Sequence, residues 1–235
     1  MNSYPAYRIL PLGDAAVLVD CGNTISDAVS HAITGWFRRL QADPLPGMIE
    51  AVPAYSSLAV HYDPGAVYKL APAGQTAYAW MKQQVEKRMA ATMTGEKEAP
   101  RLVQVPVCYE EPFAPDIEDL AATNGLSVEE LIRMHTSVPY RVYMLGFLPG
   151  FAYMGPVDER LRAPRKASPA QVAAGSVGIA GNQTGIYPLS SPGGWCIIGR
   201  TPLRLFDAAN ETPVLLQAGD QVQFYSISRH EFENY

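Results

Sequence analysis

The residues best able to do chemistry lie in one stretch, 146–201, where arginines and aromatic side chains alternate with glycine and proline. Glycine marks backbone that takes a positive φ or approaches a neighbour closely, and proline ends regular elements. Arg165 and Arg200 could hold a carboxylate or a phosphate, because a guanidinium donates hydrogen bonds in a planar fork. The stretch therefore predicts short strands and shaped loops around a binding site for a small anion.

His135 lies just before this stretch, at the end of a predicted helix. A cationic histidine is favoured at a helix C-terminus, so a capping role is one interpretation. A charge contact with a ligand or a proton-transfer role is the other, and we select His135 together with Arg200 as the candidate catalytic residues.

The remaining candidate contacts are polar and aromatic groups beside the glycine turns. A ligand pocket needs a few convergent polar groups on an apolar wall, although such groups also serve to satisfy loop backbone. The candidates for hydrogen bonding or stacking are Gln183, Thr184, Tyr187 and Trp195. The glycines that would let the backbone approach a ligand are Gly150, Gly181, Gly193 and Gly194.

Charge is distributed unevenly along the chain. The 235 residues carry a net charge of −5, which disfavours nucleic acid as a partner. Residues 131–206 nevertheless contain eight lysines and arginines against two acids, and residues 163–206 contain no carboxylate. This local excess favours a small anionic ligand or an acidic protein face, with ordinary surface arginines as the alternative.

Two segments come close to known catalytic motifs, and we reject both. Residues 194–201 nearly spell a phosphate-binding loop, but bulky apolar residues separate the glycines and Pro202 stands where a helix should begin, so a strand ending at Arg200 is predicted. Ser176 resembles the serine of a nucleophile elbow without the helix that must follow, and is interpreted as a turn residue. No metal-ligand spacing and no close carboxylate pair are present, so a self-contained hydrolase is not expected.

The pattern of elements predicts two domains. Residues 1–95 alternate strands with two amphipathic helices, which is typical of a small α+β domain. The first helix has Ser26 near its start as a cap, and its predicted apolar stripe includes Ile25, Ile33, Trp36 and Leu40. Residues 94–100 are polar and contain helix breakers, so they are the predicted linker. Residues 96–235 open with a strand, contain a capping box at Ser127, and continue after Tyr140 as many short strands, which predicts a barrel or a sandwich.

Composition indicates the compartment. No apolar run is long enough to span a bilayer, and the N-terminus lacks the apolar core of a signal peptide, so a cytoplasmic protein without a membrane partner is expected. Cys21, Cys108 and Cys196 are odd in number and widely spaced, and are predicted to be reduced, buried thiols.

Several long motifs resemble one family along the full length of the chain. They include residues 52–58 (VPAYSSL), 145–153 (LGFLPGFAY), 183–188 (QTGIYP) and 191–195 (SPGGW). The chain is identified as a member of the family called the 5-oxoprolinase B subunit, allophanate hydrolase subunit 1 or sporulation kinase A inhibitor. It departs from the family at Ala170, where an arginine is frequent, so no charge contact is expected there.

The resemblance implies an α+β N-terminal domain followed by a mainly-β, cyclophilin-like barrel. It also implies a subunit of an ATP-dependent 5-oxoprolinase, which converts 5-oxo-L-proline to L-glutamate. This protein would act with a larger C subunit and a separate A subunit. ATP with Mg would enter through the complex, and the isolated chain is not expected to be active.

Two alternatives remain open on the same resemblance. One is a protein that inhibits a sensor histidine kinase through an exposed apolar patch, for which Phe147, Phe151 and Tyr153 are candidates unless they pack in the core. The other is the carboxyltransferase part of a urea carboxylase or allophanate hydrolase system, which would require a biotin-carrying partner.

Overall fold

The computed structural model describes residues 5–23, 26–90 and 99–235. The chain divides into two compact units, Met1–Ala99 and Pro100–Tyr235. The boundary predicted after residue 95 falls among residues 91–98, outside the described residues. Within the described ranges, no helix combines the length and the apolar character that crossing a membrane requires.

Over its described residues, the first unit consists of an antiparallel four-stranded sheet and three helices. In sheet order the strands are β1 (Arg8–Pro11), β2 (Ala16–Asp20), β4 (Ser57–Tyr62) and β3 (Met48–Pro53). The helices are α1 (Asp27–Ala42), α2 (Pro64–Leu70) and α3 (Ala77–Ala90). The described residues of this unit form a core of their own, whose buried apolar side chains come mainly from the strands and from α1, α2 and α3.

Helix α1 begins and ends where its sequence directs. The Ser26 side chain caps it by accepting a hydrogen bond from the Val29 backbone N–H. The predicted apolar stripe is confirmed, since Ile33, Trp36 and Leu40 are each 1% exposed. Ile25, a further member of the predicted stripe, lies outside the described residues.

Helix α2 was not among the predicted elements. Asp63 caps it by accepting from the Ala66 backbone N–H, and Pro64 occupies the first turn, where a missing N–H costs nothing. The sequence at 63–65 is ambiguous, because aspartate, proline and glycine together also end strands. Its aspartate and proline signal the start of a helix equally well.

The second unit is a closed barrel of seven strands. They follow one another round the barrel as β10, β7, β6, β13, β5, β12 and β9, and only β13 and β5 pair in parallel. Their ranges are β5 (Leu102–Cys108), β6 (Tyr140–Leu145), β7 (Ala152–Gly155), β9 (Ser176–Ala180), β10 (Gln183–Ile186), β12 (Cys196–Arg200) and β13 (Gln221–Ile227). The barrel prediction is thereby confirmed against the alternative of a sandwich.

Shorter elements surround the barrel. They are the helices α4 (Ile117–Thr123), α5 (Val128–Thr136) and α6 (Arg229–Glu233), a 3-10 turn at Glu159–Leu161, and a separate two-stranded sheet of β8 (Ala170–Val172) with β11 (Ser191–Gly193). The capping box predicted at the start of α5 is confirmed, because Ser127 and Glu130 each bond the other's backbone N–H.

The glycine-rich strands separate two apolar clusters. Val177 and Ile179 of β9 belong to the large barrel core, whereas a smaller cluster contains side chains from β8, β9 and β12 and from the segments beside them. Side chains alternate along a strand, so neighbouring residues face opposite sides of the barrel wall. We call the smaller group the aromatic cluster; its buried members are Phe151, Val172, Ala180, Tyr187, Trp195 and Ile197.

The structure tests the predictions for residues 194–201, for Ser176 and for the three cysteines. The segment that resembles a phosphate-binding loop forms β12, as predicted. Ser176 is the first residue of β9 and is buried, so its interpretation as a turn residue was wrong. All three thiols are free, but only Cys108 is buried, while Cys21 and Cys196 are partly exposed.

Candidate functional site

His135 lies inside the second unit rather than at its surface. Helix α5 carries it to the wall of the barrel, where the side chain is 0% exposed. Its ring stacks on Tyr140 and Phe224, with ring centroids 5.3 and 4.6 Å away. The side chain therefore does not cap its own helix, because it is used to fill the core.

Both ring nitrogens of His135 have partners, and the bonds define the tautomer. Thr184 Oγ1 donates its proton to the Gly178 carbonyl oxygen at 3.1 Å. At 3.0 Å from this hydroxyl, His135 Nε2 must therefore carry the proton and donate it. Nδ1 is left as the acceptor for the Tyr109 hydroxyl at 2.8 Å.

Burial keeps this histidine neutral. Desolvation lowers the pKa of His135 from 6.5 to about 3, since the charged ring would lose its hydration without gaining a carboxylate. A charged contact with a ligand would require the ring to leave its network. Thr184 is likewise 0% exposed and committed to His135 and Gly178, so these two predicted contacts form a structural pair in this conformation.

Tyr187 and Trp195 come together in the aromatic cluster, on the outer face of the barrel. Their rings lie edge-on to Phe151, at centroid distances of 5.1 and 5.5 Å. Gly193 lies against the Tyr187 ring so closely that a Cβ there would come within 2.7 Å of the ring carbon Cζ. Gly193, which is predicted to let the backbone approach a ligand, is thus also needed for close packing against Tyr187.

Arg165 lies beside this cluster. It is exposed and has no ion pair with any described residue. Burial raises the pKa of Tyr153 and of Tyr187, and the charge of Arg165 partly offsets the rise in both, which places the guanidinium near the two hydroxyls. The cluster therefore has an unpaired cation at its rim.

Arg165 and Arg200 lie near opposite ends of strand β12. The chain just before Arg165 lies near the start of β12, where the Cys196 thiol contacts the Pro164 carbonyl oxygen at 3.6 Å. Arg200 is at the other end of the same strand. Four residues of strand extend about 13 Å, so the two predicted charge contacts lie near opposite ends of β12.

The local positive charge is smaller in space than in sequence. Lys166 pairs with Asp116 at 2.7 Å and Arg204 with Asp207 at 2.9 Å, and both acids come from outside the arginine-rich window. Arg160 pairs with Asp158 at 3.1 Å. Folding thus neutralises several cations and leaves Arg165 and Arg200 as predicted contacts without an ion pair to a described carboxylate.

Arg200 opens on a cleft of about 730 Å³. We call it the Arg200 cleft; it is lined by Ala174, Gly175, Pro188, Leu189, the segments 200–204 and 206–209, and Phe232. Its volume lies in the range of small-molecule sites. Gly150 adjoins the cleft, because a Cβ added to Gly150 would come within 3.1 Å of Phe206 Cβ and 3.5 Å of Pro188 Cβ.

Two phenylalanines that were not predicted as site residues hold the guanidinium. Arg200 Cζ lies 6.0 Å from the Phe113 ring centroid and 5.9 Å from that of Phe232. The centroids of the two rings are 4.2 Å apart, and Arg200 Nε donates to the Ala174 carbonyl oxygen at 2.8 Å. A cation–π contact leaves the hydrogen-bond donors of the guanidinium free.

The loop between β6 and β7 presents Phe147 to solvent. Its side chain is 63% exposed and its φ is +71°, a strained conformation for a bulky residue. Phe151, by contrast, is buried and Tyr153 is half-buried, so only one residue of the patch considered for kinase binding is strongly exposed.

The remaining predicted contacts lie in the turn between β9 and β10 or beside the aromatic cluster. Gly181 has φ +59° and bridges to Ala163, and Gln183 pairs with Ala180 at the start of β10. Gly194 accepts a hydrogen bond from the Lys166 backbone N–H at 2.8 Å. Across the part of the chain that the structure describes, no three His, Cys, Asp or Glu residues are grouped as metal ligands.

Comparison with known proteins gives consistent matches. The family model "Carboxyltransferase domain, subdomain C and D" matches residues 7–216. The 5-oxoprolinase B subunit of Bacillus subtilis (strain 168) is 45% identical over 231 residues, which cover 97% of this chain and 96% of that protein.

In more distant relatives, the region similar to this chain is one part of a longer polypeptide. The crystal structure of TTHA0988 superposes with a TM-score of 0.77 at 34% identity, covering 91% of this chain and 40% of that one. Urea amidolyase of Saccharomyces cerevisiae (strain ATCC 204508 / S288c) is 26% identical over 257 residues, which cover 94% of this chain but 13% of the yeast protein.

Proposed function

This chain belongs to the family of 5-oxoprolinase B subunits, and we propose that it is a subunit of an ATP-dependent 5-oxoprolinase. This enzyme converts 5-oxo-L-proline to L-glutamate. The observation that carries the proposal is the 45% identity to the B subunit of a 5-oxoprolinase across nearly the whole of both chains. A small anionic substrate also suits a unit that presents unpaired arginines.

The chain contributes binding rather than the complete chemistry. Asp207 is the only carboxylate among the described residues that line the Arg200 cleft, and it is paired with Arg204. Hydrolysis of an amide ring needs groups that transfer protons and activate water, and no such pair adjoins Arg200 in the described part of the chain. We therefore propose that the isolated chain is inactive and that ATP with Mg enters the reaction through the assembled complex.

The proposed partners are a larger C subunit and a separate A subunit. The TTHA0988 chain supports a larger partner, because the region similar to this chain makes up only 40% of that polypeptide. A segment that is fused in one protein and forms a chain of its own in another, as the Bacillus subtilis subunit does, commonly interacts with the part from which it is separated. A cyclophilin-like classification of the barrel and a cytoplasmic location are parts of the same proposal.

The proposed roles of individual residues follow their positions. Arg200 contacts the charge of a ligand in the cleft, and Gly150 lets the backbone close around it. Arg165 serves a second contact, beside Tyr187 and Trp195. The predicted contacts of His135 and Thr184, and those of Gln183, Gly181, Gly193 and Gly194, remain predictions; each would require a ligand or partner protein to reach the barrel wall or the turns of the aromatic cluster.

The test is glutamate formation from 5-oxoproline and ATP by the three subunits together, with each omitted in turn. We expect activity to disappear when this chain is left out and to return when it is added back. Activity that is unchanged by its omission would refute the proposal.

A carboxyltransferase role is the second candidate, favoured by the match to urea amidolyase. It predicts transfer of a carboxyl group from a biotin-carrying partner. Avidin, which sequesters biotin, distinguishes the two functions: it should leave an oxoprolinase unaffected and should stop a biotin-dependent carboxyl transfer.

A further inference from the structure

Arg200 is the cation in the cleft that the described structure leaves uncompensated. The lining contains two arginines, and Arg204 is paired with Asp207 at 2.9 Å. Arg200 is half-buried and makes no ion pair with a described carboxylate. A guanidinium withdrawn from water without a counter-charge is costly, so an anion from outside would compensate it.

The guanidinium is already held in position for such an anion. Its Nε–H donates to the Ala174 carbonyl oxygen at 2.8 Å, and its planar head lies about 6 Å from the Phe113 and Phe232 rings. The two terminal amino groups remain as donors. A side chain fixed in this way loses little conformational entropy on binding, and its fork matches the two oxygens of a carboxylate or phosphate.

The rest of the cleft describes the body of the ligand. Leu203, Phe206 and Pro188 form an apolar wall, and the exposed Ala208 and Ala209 leave room around its mouth. An inorganic anion alone would leave this apolar wall in contact with water. The lining instead fits a small organic molecule with one anionic end and a compact apolar part.

We propose that the Arg200 cleft binds a small organic oxyanion, with a carboxylate or phosphoryl group on the terminal amino groups of Arg200 and its apolar part on Phe206 and Leu203. The identity of the ligand rests on the proposed function: in a 5-oxoprolinase the anionic group is the carboxylate of 5-oxoproline or a phosphate of ATP. The two sources share the chemistry that Arg200 recognises, and titration separates them.

The experiment measures binding by calorimetry to the full chain, alone and with its partner proteins, using 5-oxoproline, ATP and inorganic phosphate as separate probes. Arg200→Gln removes the charge and Arg200→Lys keeps it without the fork. Ala208→Leu narrows the cleft without touching Arg200. The matched controls are Arg162→Gln and Ala122→Leu, which change exposed residues that do not line the cleft.

We expect Arg200→Gln to weaken binding of 5-oxoproline or ATP by about tenfold to a hundredfold, the loss of one charged hydrogen-bonding group. Arg200→Lys should lose less, Ala208→Leu should weaken the same probe, and both controls should bind within about twofold of the unmodified chain. Stronger binding of the organic probe than of phosphate would support the role of the apolar wall.

Two results would overturn the proposal. One is that Arg200→Gln and Ala208→Leu bind every probe as the unmodified chain does. The other is that the unmodified chain binds none of the probes, alone or with its partners. Failure of the proposed function is a separate result: glutamate formation could be independent of this chain while Arg200→Gln still abolishes binding of an anion.

Discussion

The barrel interior and the Arg200 cleft each contain a residue of a type often used in catalysis, but the two residues differ in how many of their polar atoms are hydrogen-bonded. In the interior, His135 has both nitrogens bonded, is 0% exposed and has a pKa of about 3. In the cleft, Arg200 is half-buried, and among the described residues its hydrogen bond is the one from Nε to the Ala174 carbonyl oxygen. The hydrogen bonds of the His135 ring are therefore complete, whereas the Arg200 guanidinium has terminal donors left for a ligand.

The difference shows how to separate structural from binding residues when both carry reactive groups. A buried polar network that is fully satisfied stabilises one packing, and a ligand would have to break it. A cation that is held in place but has no counter-charge gains by binding. Substitutions in the interior should therefore lower stability and leave ligand binding intact. Substitutions in the cleft should lower ligand binding and leave stability intact.

The largest expected effect is on the stability of the interior. His135→Ala removes the stacking on Tyr140 and Phe224 and leaves the Tyr109 hydroxyl unpaired, so the free energy of unfolding should fall by about 3–5 kcal/mol. Urea unfolding followed by circular dichroism measures it. The exposed His230 supplies the control, since His230→Ala should change stability by less than about 0.5 kcal/mol.

If His135→Ala left stability unchanged and abolished activity in the complex, the comparison between interior and cleft would be broken. His135 would then be a ligand contact, and the barrel would have to open to admit the ligand.

A smaller effect is expected from two neighbouring glycines of the aromatic cluster. Gly193→Ala would place a Cβ 2.7 Å from Tyr187 Cζ and should destabilise the protein by about 1–3 kcal/mol through overpacking. Gly194→Ala would place its Cβ 3.6 Å from the nearest atom, the Lys166 carbonyl oxygen, and should be tolerated. Thermal unfolding of both variants measures the contrast.

The same pair tests whether either glycine admits a ligand. Loss of 5-oxoprolinase activity in Gly194→Ala, at unchanged stability, would show that the backbone there approaches a substrate or a partner. The packing explanation would then apply to Gly193 alone.

The dependence of stability on pH gives an effect that is small for each pH unit. His135 has a pKa of about 3 when folded and an ordinary value of 6.5 when unfolded, so below pH 6.5 the unfolded chain takes up the proton first. Stability should therefore fall as the pH drops from 6.5 toward 3, by at most about 1.4 kcal/mol per pH unit from this group.

The non-titrating variant His135→Gln isolates this contribution. Urea unfolding between pH 7.5 and pH 5 should show a shallower loss of stability in the variant than in the unmodified chain. Equal slopes in the two proteins would mean that the ring is protonated normally in the folded state and that it is not sealed in the core.

The sequence predicted well what depends on neighbouring residues. The caps at Ser26 and Ser127 and the stripe of Ile33, Trp36 and Leu40 are local signals, since they follow from hydrogen bonding and periodicity within one helix. The strand ending at Arg200 was equally clear, because bulky residues between glycines cannot form a phosphate-binding loop.

The grouping of the site residues could not be predicted in the same way. Arg165 and Arg200 were both expected to contact the charge of a ligand, but they lie near opposite ends of β12. Phe113 and Phe232 meet Arg200 only because the ends of distant segments are brought together by the closed barrel. Sequence spacing contains no information on such contacts, and the depth of His135 depended on the same closure.

The most direct test compares Arg200→Gln with His135→Gln in the assembled complex, measuring kcat/KM for glutamate formation and the unfolding temperature of each. We predict that Arg200→Gln lowers kcat/KM by about tenfold or more at an unchanged unfolding temperature. We also predict that His135→Gln lowers the unfolding temperature and, at a temperature where the complex is folded, retains kcat/KM. The reverse pattern would contradict both predictions, because His135 would then be the ligand contact and Arg200 the structural residue.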